Sequence, residues 1–410
     1  MRVLTSMHRT QFAELGALFL LQGVSQAIWL VPLSPVLEAH GLSVIRPYAF
    51  AASALAAFVS PLIFGAVADR QASPVQVLRG LALATAGTMA LATTAIYQGW
   101  PPGMVLVLIQ LHALATAPAW SLASTIVLAR LRDTKHEFGP IRAMATLGWM
   151  AGCWLVSALN ADASTRAGYS GALVWLIVAG FTYCLSGLPP VQSSSHLTWR
   201  ERLGLDALTL LRHRDHRVVF LTIALFSIPV AAFYPYSPLH LRDLGFHRTS
   251  AWMSLGQVLE VVTMFLLGGL LSRWRLKWIL TAGLGCGVLR FAFCALDQKL
   301  WLLAGVALHG CSFSFVFVTA QIYLDQRVDA AWRARAQALM SFVTVGVGNL
   351  TGYLGTGGWF AWNTPAGGTD WPKFWSGLSL AVVGVLGYFL MAYRGIGKGF
   401  RRKPDDVFGA

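Results

Sequence analysis

Apolar runs recur along the whole of this 410-residue chain, and each is about 20 residues long, enough to cross a hydrocarbon core of roughly 30 Å. A soluble α/β enzyme of this length would show shorter runs separated by far more charge. Only 12% of the residues are charged and 56% are hydrophobic, with a mean hydropathy of +0.60; soluble domains carry roughly 25% charge. The start, MRVLTSMHRTQFAELGALFLLQG, is basic and then stays apolar through Leu33 without an A-x-A cleavage site. It reads as a first membrane helix rather than a removed signal peptide.

The runs give twelve candidate helices, near 11–33, 45–67, 76–97, 102–129, 141–160 and 169–188, then 217–238, 249–272, 277–296, 300–324, 335–358 and 373–394. The expected fold is therefore an all-α membrane protein of twelve transmembrane helices in two six-helix bundles. Residues 1–188 form the N-terminal bundle and 217–396 the C-terminal bundle, with a linker at 189–216 and a basic tail at 397–410. Within the linker, Leu203, Leu205, Leu208 and Leu211 among basic neighbours suggest an amphipathic helix at the membrane surface. Assigning loops alternately with the N-terminus inside places 24 of the 31 basic residues on the inner side and six on the outer, with Arg290 inside the ninth span. That bias predicts both termini in the cytoplasm. The net charge of +14 is thereby explained by topology, which removes the reason to expect nucleic-acid binding.

Five cysteines all fall in apolar runs, with no C-x-x-C and no Cys/His ligand spacing, so no metal site is expected. There is no Walker lysine to imply ATP drive. The ten histidines are scattered, without an H-x-x-x-H pair or a Ser/His/Asp arrangement, so an enzyme is not expected and no cofactor is implied.

The polar residues left inside the membrane are few and fall on shared helix faces. Gln22, Gln26 and Trp29 are spaced i, i+4, i+7 on the first helix. Arg142, Thr146 and Trp149 repeat that spacing on the fifth, just after Pro140, which suits a first helical turn. Gln257 and Glu260 share a face of the eighth, and His309 and Phe313 a face of the tenth. Each also has a purely structural reading. Arg142 could reach the headgroups, the glutamines could bond neighbouring helices, and His309 could be a satisfied packing residue. Glu260 resists such a reading, because a carboxylate at mid-membrane depth is costly unless protonated or paired. Together a guanidinium, a carboxylate, amides and flat aromatics suit a polar ligand that contains a ring. Gly348 and Gly352 read as a close-packing pair.

Two bundles joined by a basic linker match the major facilitator superfamily, where substrate sits between the halves near the midplane. The tract GAVADRQ (65–71) resembles that superfamily's G-x-x-x-D-R loop, without the usual basic tail after it. The stretches FGPIRAMATLGWM (138–150), AWMSLGQVLEVVTMF (251–265), ALHGCSFSF (307–315) and IYLDQRVDAAWRARAQAL (322–339) resemble the bacterial nucleoside:proton symporter family. The resemblance implies a secondary transporter that imports nucleosides with protons by alternating access, monomeric, in the bacterial inner membrane. It places the substrate site on Arg142, Thr146, Trp149, Gln257, Glu260, His309 and Phe313; Gln26, from the first-helix stripe, completes the candidate site, and Glu260 is the expected proton-coupling group. Family members commonly carry an acid just after the tenth-helix aromatic, where Ser314 stands here. In the seventh span, Val230 and Phe233 occupy places where some members have amides. These departures leave open a sugar or another glycoside as the substrate, or a non-transporting receptor on the same fold.

Overall fold

The computed structural model describes residues 9–68, 73–131, 134–185, 205–328 and 330–395. In the N-terminal half the helices are α1 (Arg9–Leu30), α2 (Leu33–Ala39), α3 (Arg46–Ala68), α4 (Pro74–Tyr97), α5 (Pro102–Thr116), α6 (Ala119–Leu128), α7 (Thr134–Ala158) and α8 (Arg166–Phe181). The C-terminal half holds α9 (Arg214–Val230), α10 (Phe233–Asp243), α11 (Thr249–Met253), α12 (Leu255–Arg273) and α13 (Leu276–Ala295). It continues with α14 (Lys299–Phe313), α15 (Thr319–Arg327), α16 (Ala330–Ser341), α17 (Asn349–Trp362) and α18 (Trp371–Ala392). Among the described residues nine helical segments, several running through a break, are long and apolar enough to cross a membrane. Ser43–Val59 and Arg166–Phe181 are shorter apolar helices.

The breaks have local causes. Pro32, Pro118 and Pro229 sit at or beside the joints between α1 and α2, α5 and α6, and α9 and α10. A proline withholds an N–H and pushes its ring against the preceding turn, so the rod bends there. Two further interruptions are π-helical, Ser314–Val318 between α14 and α15 and Phe342–Gly348 between α16 and α17. Such turns re-aim the side chains that follow and are often found at functional sites. The fifth predicted span differs from expectation at its start. Its helix begins at Thr134 and Pro140 lies inside it, so Arg142 stands well past the first turn.

Close backbone contact sets the geometry of each half. A Cβ on Gly23 would overlap the Ala145 carbonyl, and one on Gly148 the Leu20 carbonyl, so α1 and α7 touch along their backbones. The same holds for α12 and α14 at Gly310, whose absent side chain would collide with the Glu260 amide and the Gly256 carbonyl. Gly348 and Gly352 lie against Ser227 and Ala231, the close packing expected of that pair. Small residues serve this purpose in lipid, where association depends on contact rather than on hydrophobic expulsion.

The halves meet through α3 with α17, α2 with α10, and α7 with α11 and α12. A cluster of polar contacts joins them at the end that carries residues 38–46, 157–162 and 242–251. Glu38 accepts from Arg46 of its own half at 3.4 Å and from Arg242 of the other at 3.1 Å. Asp162 Oδ1 accepts from the Ser250 amide at 2.6 Å, and Ser157 Oγ accepts from the Ala251 amide at 3.0 Å. Trp154 donates to Ser254 Oγ at 3.0 Å. Of the predicted linker, Leu205–Arg212 is a 3₁₀ helix packed on α9 and α16; residues 189–204 lie outside the described residues, as do most of the D-R loop and the basic tail.

Candidate functional site

Between the halves lies a cavity of about 630 Å³. Gln26, Arg142, Thr146, Trp149, Gln257, Glu260, His309 and Phe313 all line it, so the eight residues singled out in the sequence come together in one place. Gln22 does not join them. It is fully buried beside the cavity wall, with neither end of its amide bonded among the described residues.

The N-terminal wall is built by α1, α3, the bent α5/α6 and α7. The Gly23–Gly148 contact draws α1 onto α7, which sets Gln26 beside the stripe of Arg142, Thr146 and Trp149. Arg142 is exposed to the cavity, its guanidinium 4.3 Å from the centre of the Trp120 ring. Stacking on an indole face holds a guanidinium while leaving its N–H groups free for a ligand. Arg142 and Glu260 both line the cavity. No ion pair joins them among the described residues, so both remain available.

The C-terminal wall is more tightly bonded. Gln257 is buried and donates to the Tyr234 hydroxyl at 3.3 Å, leaving its carbonyl oxygen without a partner. His309 is stacked on Phe233 at 3.9 Å between ring centres, with Phe313 tilted at 6.0 Å. Its Nδ1 accepts a 2.7 Å hydrogen bond from Arg290 Nη1. A guanidinium has no acceptor, so that bond fixes the neutral imidazole with its proton on Nε2. His309 is thus a packing residue bonded at Nδ1 and a cavity residue at once. Gly310 presses α14 onto α12 and so places His309 beside Glu260.

Several wall residues have no clear sequence signal. Tyr234 reaches the cavity just past the turn at Ala231–Ala232 that breaks the seventh span behind Pro229, and its ring stands 5.6 Å from that of Trp149 across the divide. Trp120, His112, Asn349 and Tyr353 also line it. Val230 lines the cavity as well, whereas Phe233 lies beneath His309. Ser314 is buried against the Glu260 carbonyl, 3.5 Å away, and does not line the cavity. The wall is therefore mainly aromatic and small, with a few converging polar groups. Such a composition suits a ligand with flat faces and a hydroxylated or amide-like edge.

Comparison with known proteins places this arrangement. YegT of Escherichia coli (strain K12), provisionally named a nucleoside transporter, is 30% identical over 93% of each chain. The nucleoside permease NupG of the same organism is 26% identical over 78% of this chain and 80% of its own. The xanthosine permease of that organism is 24% identical over 83% of this chain and 86% of its own. In three dimensions the fold superposes on the crystal structure of NupG with a TM-score of 0.83 at 24% identity, covering 94% of this chain and 99% of that one. A second match is the POT family transporter PepTSo, with a TM-score of 0.70 at 14% identity over 94% of this chain and 99% of the other. Residues 10–395 match the family described as Nucleoside H+ symporter, and the chain belongs to that family.

Proposed function

We propose that this chain is a secondary transporter that imports nucleosides together with protons by alternating access. In this reading it crosses a bacterial cytoplasmic membrane twelve times with both termini inside. The carrying observation is the cavity itself, where Arg142, Gln257, Glu260 and His309 converge among aromatic faces between two helical halves. The basic loops assign the latched end, around Glu38, Asp162 and Arg242, to the outside. The cavity is then closed to the outside and poised to exchange with the cytoplasm.

Each group has a role that its chemistry permits. Trp149, Tyr234 and Phe313 offer faces to the base, while Gln26, Thr146 and Gln257 exchange hydrogen bonds with ribose hydroxyls or base edges. Glu260 takes the coupled proton. A protonated carboxyl can cross with the closing halves more cheaply than an ionised one. Substrate completes the transition only by binding the closed state better than the open ones.

The test is uptake of labelled uridine and adenosine into proteoliposomes with and without an inward proton gradient. Gradient-driven accumulation that nucleosides block is expected. Glu260→Gln should abolish the accumulation while leaving exchange of substrate across the membrane in place. Accumulation blocked only by sugars would replace the substrate, and unchanged accumulation in Glu260→Gln would remove the proton from that residue.

A further inference from the structure

The charges around the cavity do not balance. Among the described residues that line it, Glu260 is the only carboxylate and Arg142 the only guanidinium. Directly behind the wall stands a second cation. Arg290 is 1% exposed, and its Nη1 meets His309 Nδ1 at 2.7 Å and Ser312 Oγ at 3.5 Å. Its guanidinium lies 4.8 Å from the Phe233 ring centre and 4.6 Å from that of Phe291, and its Nε has no partner. None of these neighbours is an anion. A buried guanidinium is normally retained with a carboxylate beside it, because the desolvated charge is otherwise uncompensated.

The sum matters for transport. With Glu260 ionised, two arginines against one carboxylate leave the site with one net positive charge. If Glu260 takes the coupled proton, the loaded site carries two. A neutral substrate would require the halves to close around that extra charge in a region of low dielectric, where like charges are least screened. A substrate with one negative charge cancels the proton's charge, so the empty and loaded sites match. The contact groups fit such a ligand. Arg142 presents donors to the cavity, and the His309 ring that lines it carries its proton on Nε2.

From this we infer that the site selects nucleosides bearing a negative charge on the base: a base with a carboxylate, or a dioxopurine that ionises near neutral pH. Arg290 acts as the positioning residue that holds His309 in its donor form and supplies the second positive charge. The inference rests on the nucleoside reading given above.

Anionic nucleosides paired with neutral ones of the same ring system test it on the unmodified protein. Dissociation constants are measured at pH 7.5 on purified protein for orotidine against uridine and for xanthosine against inosine. In each pair the anionic member is expected to bind at least about tenfold more tightly, as a charge pair in a partly buried site allows. Equal affinities, or a preference for the neutral members, overturn the inference while leaving nucleoside transport standing. Binding of no nucleoside at all overturns the nucleoside reading and this inference with it. Arg290→Gln, checked for a monodisperse fold, should bring the ratio toward one, and Arg290→Lys should restore part of it.

Discussion

The two walls of the cavity are made differently. On the N-terminal side Arg142 is open to the cavity and rests on one tryptophan face, and the indole N–H of Trp149 is buried without a partner. On the C-terminal side Gln257 is bonded to Tyr234, while His309 is bonded to Arg290 and stacked on Phe233. One wall holds its polar groups in reserve, and the other, Glu260 apart, ties them to a scaffold. Preorganised groups lose little freedom when a ligand arrives, whereas free ones gain contacts only then. The C-terminal wall is therefore suited to hold the ligand in one pose, and the N-terminal wall to close on it.

The largest expected effect breaks the free wall. Arg142→Gln removes a charge-assisted contact of about 1.5–3 kcal/mol, which corresponds to a loss of roughly tenfold to a hundredfold in substrate affinity. Because Arg142 has no carboxylate partner among the described residues, its loss should leave the melting temperature of the ligand-free protein unchanged. Direct binding and thermal denaturation measure the two quantities separately. A large drop in stability would show that Arg142 belongs to a scaffold after all, and the contrast between the walls would fail.

A second contrast lies between the two ends of the molecule. Asp162 accepts from the Ser250 amide and from Ser157 Oγ, the latter at 2.9 Å, and so caps the start of α11 from the opposite half. Asp162→Ala leaves that amide without its charged acceptor, at a cost of about 1–3 kcal/mol to the latched state. The resting population should shift toward the outward-open form. Spin-label distances across the latched end should lengthen, and those at the opposite end should shorten. Unchanged distances would mean that the Glu38–Arg242 pair and the packing of α7 on α11 hold the end closed without Asp162.

How far the sequence could disclose this site depends on where helical periodicity survives. Arg142, Thr146 and Trp149 follow one another at helical spacing on an unbroken stretch, so a shared face in the sequence became a shared wall. Gln257 with Glu260 and His309 with Phe313 did the same. Gln22 shares the spacing of Gln26 yet is buried, because α1 is covered on that side by its neighbours and the stripe alone does not mark where the cavity begins. Tyr234 lies just past the break at Ala231–Ala232, so no single helical face of the seventh span marks it in the sequence. Arg290 was visible as a cation within the ninth span, but its partner is fixed by how α13 packs on α14, which no local pattern records. Pro140 signalled a helix start and instead lies inside α7, which begins at Thr134.

The smallest effect sharpens the comparison most. Tyr234→Phe removes only the hydroxyl that accepts from Gln257, leaving the ring beside Trp149 and His309 in place. If the C-terminal wall is a scaffold, Gln257 then loses its anchor and gains side-chain freedom that substrate must remove. The net worth of one neutral hydrogen bond is about 0.5–1.5 kcal/mol, so affinity should fall by roughly twofold to tenfold. Unlike Arg142→Gln, this variant should also lower the melting temperature of the ligand-free protein, because a buried amide is left with both ends unbonded. A double variant with Gln257→Ala should cost no more than Gln257→Ala alone, since the tyrosine hydroxyl acts through the glutamine. Additive losses would instead mean that Tyr234 meets the substrate directly, and the bonded wall would be as free as its partner.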